Sequence, residues 1–161
     1  MNKNMVILLA VVLMIGCGRA DRADRKFRGV TEKRDYVSEA MEHLKNSDVV
    51  EAIKSFDLAI RQEPNNVDNY LILGQVYMKL EQADRAADTF LAATRVAPDN
   101  GEAYYFLALS EAVNGKKDEA VAAAKRSAEI FMQAKNDEMF KKSLSLVQDL
   151  SGTPAPAEAA Q

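Results

Sequence analysis

The chain has no tryptophan, a single cysteine (Cys17) and a single histidine (His43) among its 161 residues. That scarcity removes disulfide frameworks, Cys/His metal clusters and Cys/His nucleophile pairs from a single chain, so no metal, cofactor or catalytic residue is expected. The seven glycines are scattered, and none of them builds a loop that would cradle phosphate. Excess positive charge is also missing, since the formal net charge is −3. Residues 18 to 35 carry seven Lys/Arg against four Asp/Glu, and residues 36 to 161 carry thirteen against twenty. A short basic stretch thus precedes an acidic domain, which argues against binding to nucleic acid, whose affinity rests on neutralising phosphates. The apolar run Met5 to Ile15 is eleven residues long, well short of the ~20 that a membrane-crossing helix needs.

What the chain does have is recurrence. Proline is rare, yet Pro64 and Pro98 lie one 34-residue period apart. Within residues 67 to 100, Tyr70, Leu73, Gly74 and Tyr77 fall at i, i+3, i+4 and i+7, one face of an α-helix. Ala86, Phe90 and Ala93 mark the same kind of face on a second helix, and Glu81 to Asp84 form a polar corner between them. The two faces must meet, with small residues (Gly74, Ala86, Ala93) where the axes cross and Tyr70, Tyr77 and Phe90 as bulk around the crossing. Pro98 stops the second helix and biases Ala97 away from helical angles.

One period earlier, Tyr36, Ala40, Ala52, Phe56, Ala59 and Pro64 repeat these landmarks; one period later, Tyr104, Leu107, Ala108 and Ala120 do so more weakly. His43 stands where Tyr77 stands in the middle unit, as a packing or surface residue. In the last unit Glu111 replaces that aromatic, and Met132 replaces the proline. Without the proline the helix that begins near Lys117 can run on to about Ala134, and Asn136-Asp137 offers a start for one further helix through Leu150.

This arrangement resembles the tetratricopeptide (TPR) repeat, a 34-residue helix-turn-helix unit. The resemblance implies an all-α fold, a right-handed α-solenoid of three helix pairs (33–66, 67–100 and 101–134) and a C-terminal capping helix (137–150), within a domain of residues 31–150. It also implies that the first helix of each pair lines a concave groove. Carried onto this sequence, the large apolar groove positions are Val37, Met41, Leu44, Leu71, Ile72, Met78, Tyr105, Phe106, Leu109 and Val113, with Lys45, Gln75 and Lys79 among the polar ones. So apolar a stripe exceeds what a solvated helix face carries; rotation of the helices to tuck part of it into the core is the alternative. The Lys/Arg/Asn clamp by which some members grip acidic chaperone C-termini is absent, since Val37, Met41, Ile72, Glu102 and Phe106 occupy those positions.

Outside the repeats, Lys3 and the short apolar run read as a secretory signal over residues 1–16. The ending Met14-Ile15-Gly16-Cys17 resembles a bacterial lipoprotein cleavage box, implying that Cys17 is lipidated; the other reading is a plain signal peptide. Residues 17–30 are charged and read as a flexible tether, and the Pro/Ala-rich residues 151–161 as a disordered tail. On the last helix Met139, Phe140, Leu144, Leu146, Val147 and Leu150 span an arc of about 160°, wider than one neighbour requires. Either the helix buries all of it as a cap, or Phe140, Leu144 and Val147 remain for a second copy, giving a homodimer. The expected function is a membrane-anchored adaptor, in the cell envelope and facing the periplasm from the outer membrane, that binds a protein or peptide segment during envelope or secretion-system assembly. The alternative is a self-associating structural protein.

Overall fold

The computed structural model describes residues 34–152. The signal segment, Cys17, the tether and the Pro/Ala tail lie outside the described residues. Within the unit that begins at Asp35, the described residues form seven helices and no strand. They are α1 (Tyr36–Lys45), α2 (Val49–Gln62), α3 (Val67–Lys79), α4 (Ala83–Val96), α5 (Gly101–Val113), α6 (Lys117–Gln133) and α7 (Asp137–Ser151). Each helix packs chiefly on its neighbours in sequence, the nearest-neighbour pattern of a helical repeat stack. The contact between α2 and α3 is much the thinnest of these junctions.

Two kinds of corner alternate. After α1, α3 and α5 the chain turns through a left-handed residue, Ser47 (φ 64°), Glu81 (φ 58°) and Gly115 (φ 76°), spaced by the repeat period. At each, the next N–H reaches back five residues: Asp48 to His43 (2.8 Å), Gln82 to Tyr77 (2.9 Å) and Lys116 to Glu111 (2.9 Å). These bonds satisfy carbonyls that a helix end would otherwise leave open. After α2 and α4 the chain instead turns at Pro64 and Pro98, and the loop supplies an Asn cap for the next helix. Asn66 accepts from the Asp68 N–H (3.1 Å), and Asn100 from the Ala103 N–H (2.9 Å). Asp35 caps α1 in the same way through the Ser38 N–H (3.0 Å). Asp48, by contrast, stands at the α2 N-cap without a side-chain capping bond; its carboxylate lies 3.9 Å from the His43 ring instead.

With Met132 in place of the proline, α6 runs to 17 residues against 14 for α2 and α4. It ends in the corner used within pairs: Lys135 has φ 56°, and the Asn136 N–H reaches Phe131 O (2.9 Å). The final helix is therefore set on α6 as a second helix is set on a first. A buried polar seam fixes it there. The Ser127 hydroxyl donates to Gly101 O (2.8 Å) and lies 2.9 Å from the Ser143 hydroxyl, and both serines are fully buried. Ser143 is not legible in the sequence as a contact residue, being polar beside an apolar arc.

Two apolar clusters make the core. One gathers Ala40, Phe56, Leu73 and Val76; the other gathers Leu71, Ala86, Ala87, Phe90, Ala93, Ala103, Leu107, Ala108, Ala123 and Ala124. Tyr77 packs against both, and its burial pushes the phenol pKa up. At the centre of the middle pair, α3 and α4 approach so closely that a β-carbon on Gly74 would lie 2.5 Å from the Phe90 ring. Phe90 is fully buried and stacked on Phe106 (centroids 5.3 Å, 19°), so its ring has little room to yield.

Two glycine substitutions separate packing from backbone conformation. Gly74→Ala should cost about 1–3 kcal/mol through overpacking. Gly115→Ala adds a β-carbon that meets nothing within 4 Å, so its cost of about 1–2 kcal/mol comes from the left-handed backbone alone. Urea unfolding of each variant with and without Phe90→Leu provides the check: the Leu substitution should recover part of the Gly74→Ala loss and none of the Gly115→Ala loss.

Candidate functional site

A helix of this stack can offer a partner only what its two packed neighbours leave uncovered. The structure leaves a well-formed apolar depression at the thin junction of the first two pairs, where α1, α2 and α3 diverge. It holds about 440 Å³ and is lined by Met41, Leu44, Val49, Ile72, Gln75, Val76, Lys79 and Leu80. Its volume falls within the ~300–1,000 Å³ usual for ligand pockets. Among the groove positions expected from sequence, Met41, Leu44 and Ile72 come together here; Met41 is 44% exposed. Val37 is half-buried beside them, against the first core cluster.

The other positions fare differently. Leu71 is a correction: it is 6% exposed and belongs to the second core cluster, so it holds the fold and is closed to a ligand. The α3 helix is rotated so that Leu71 points to the core while Ile72, the next residue, opens to the pocket. Met78 and Phe106 are half-buried and pack on that same cluster. The Met78 sulfur lies 3.4 Å from the buried Ser110 hydroxyl, and Phe106 stacks on Phe90. Tyr105 meets Phe106 edge-on (5.8 Å, 73°) and, like Leu109, is half-buried; Val113 is 67% exposed. The pocket also includes Val49 and Leu80, half-buried residues that no surface pattern marks, and the buried core residue Val76 as part of its floor.

On α7, Val147 is a second correction: with Leu146 and Leu150 it packs against the core and is not free for a partner. Phe140 is half-buried and Leu144 is 40% exposed. Thus the arc narrows to two outward apolar side chains rather than three.

Some of the charge around the stack is held in local pairs. Glu111, at the position held by Tyr77 in the middle unit, pairs with Lys116 at 3.1 Å, and that contact holds the Lys116 ammonium pKa above its ordinary value. Arg85 lies over the Tyr77 ring (5.7 Å) and Arg126 over Tyr104 (6.0 Å). Among the described residues no cluster of His, Cys, Asp and Glu could hold a metal ion, and no helix is long and apolar enough to cross a membrane.

Burial divides the expected groove residues into two classes with opposite responses to charge. Met78→Glu and Phe106→Glu should lower the thermal midpoint clearly, because each places a carboxylate against the core. Met41→Glu should leave it nearly unchanged. Circular-dichroism melting tests this, and equal midpoints for all three would show that Met78 and Phe106 are surface residues.

The model of the tetratricopeptide repeat family matches residues 37–90 and 73–135. No curated protein matches the chain. Among solved structures, it is similar to the type III secretion translocator chaperone SycD of Yersinia enterocolitica, at 15% identity and a TM-score of 0.63. That match covers 72% of this chain and 81% of the other. The TPR2B domain of yeast Sti1, in its pHsp70 complex, gives 18% identity and a TM-score of 0.64, with 73% and 97% covered. PcrH in complex with the chaperone binding region of PopD gives 10% and 0.65, with 74% and 91% covered. These identities establish a shared fold, and the family model spans more than half of the sequence: the chain belongs to the tetratricopeptide repeat family.

Proposed function

We propose that this protein is a non-enzymatic adaptor that holds a segment of another protein against the apolar face of its first helices, and that Cys17 ties it to a membrane by a lipid. The observation that carries the binding half is the pocket at the α1–α3 junction, an apolar surface that the stack leaves open. Structures of the same fold have been solved with protein segments bound: PcrH with a region of PopD, and SycD of Yersinia enterocolitica with a peptide of the translocator YopD. The lipid half rests on sequence, on the only cysteine standing where an eleven-residue apolar run ends. Together they support work in envelope or secretion-system assembly, on the periplasmic side of the outer membrane. Three helix pairs spaced by about 10 Å give a groove roughly 30 Å long, room for about nine extended residues.

A second reading, self-association, is favoured by Leu144, which stays 40% exposed on the last helix beside half-buried Phe140.

Site-specific photocrosslinking in living cells tests the adaptor. A crosslinker at Met41 should capture a discrete partner, and one at Leu58, exposed on α2, should not; the same products from both positions would sink the groove reading. Cys17→Ser should move the protein from the detergent phase to the aqueous phase, and mass analysis of the mature N-terminus should find acyl chains on Cys17. Sedimentation weighs the second reading: a monomer at high micromolar concentration removes it, and a dimer dispersed by Leu144→Lys supports it.

A further inference from the structure

The pocket between α1, α2 and α3 carries its polar groups on one side. Six lining residues are apolar, and the other two, Gln75 and Lys79, stand one turn apart on α3. At i and i+4 they share a helix face. Among the described residues neither side chain has a hydrogen-bond or ion-pair partner, and of the exposed cations Lys79 is the one that stands on the rim of this apolar pocket. None of the described Asp or Glu residues lines the pocket. Lys45, at the same place in the preceding repeat, is exposed and has no such partner among the described residues either. An apolar floor with an idle ammonium and an idle amide on its rim is therefore set in a domain that is otherwise acidic.

We propose that this pocket takes a large apolar side chain from a protein segment whose adjoining residues are acidic, with Lys79 pairing the carboxylate and Gln75 bonding the segment's main chain. The proposal rests on the groove reading above and adds to it the chemistry of the occupant. Electrostatic complementarity assigns the sign. A basic segment meets Lys79 as it enters, and like charges brought together at an interface are strongly disfavoured. The domain's overall negative charge does not cancel this, because charges beyond about 10 Å are largely screened at 0.1 M salt while Lys79 acts at contact.

Three fluorescein-labelled octapeptides, alternating Leu-Glu, Leu-Lys and Ser-Glu, serve as probes, with anisotropy read on the full chain at 0.1 M salt. The Leu-Glu peptide should bind at least tenfold tighter than either of the others. Lys79→Gln should bring the Leu-Glu and Leu-Lys affinities close together, and Lys79→Glu should reverse their order, with melting curves showing both variants folded. Ile72→Asp should weaken both leucine peptides. If Leu-Lys binds as well as Leu-Glu, or Lys79→Glu leaves the order intact, the acidic preference is overturned while sensitivity to Ile72→Asp keeps the groove. If Ser-Glu equals Leu-Glu, the apolar anchor is overturned. If neither leucine peptide binds, this proposal and the groove reading fall together.

Discussion

Phe90 occupies the space that a β-carbon on Gly74 would need, and much of the stack depends on that approach. A gap there would separate α3 from α4, loosen Phe106 from its stack on Phe90, and through Phe106 disturb α5. Tyr77, one turn along from Gly74, packs against both core clusters, so the middle pair joins two cores that are otherwise distinct. A repeat array derives its stability from such neighbour contacts. Here they are unevenly distributed: extensive from α3 to α7, thin between α2 and α3.

That unevenness produces the candidate site. Where helices pack fully, as around Leu71, an apolar residue on a first helix is drawn into the core and loses the capacity to meet a partner. Where α2 and α3 diverge, Val49 and Leu80 remain partly open beside Met41, Leu44 and Ile72, over a floor that includes buried Val76. Apolar surface of this kind is a cost to the free protein, and a bound segment would remove it from water.

The same sequence device that ends the second helices also decides how the array finishes. Pro64 and Pro98 force a stop; Met132 does not, α6 runs on into a left-handed corner at Lys135, and Asn136 then caps α7 through the Met139 N–H. That corner returns α7 onto the stack, where Leu146, Val147 and Leu150 complete the core and the Ser127–Ser143 contact fixes the position.

Fold class is legible in the amino-acid order, because helical periodicity, the small residues at Gly74, Ala86 and Ala93, and a 34-residue recurrence are local facts that survive without knowledge of any contact. The repeat pattern also singles out Met41, Leu44 and Ile72, which line the pocket, Met41 exposed and the other two half-buried. The inward packing of Leu71 and Val147 is not legible there. A residue's position in a repeat says which face of its helix it occupies, to within about the 100° between successive residues. Whether that face meets solvent or a neighbour depends on how far the helix rolls, and the roll is set by the volumes of side chains distant in sequence, such as Phe90 beneath Gly74. Leu71 and Ile72 lie one such step apart, and it took the packing of α3 against its neighbours to turn one inward and the other toward the pocket.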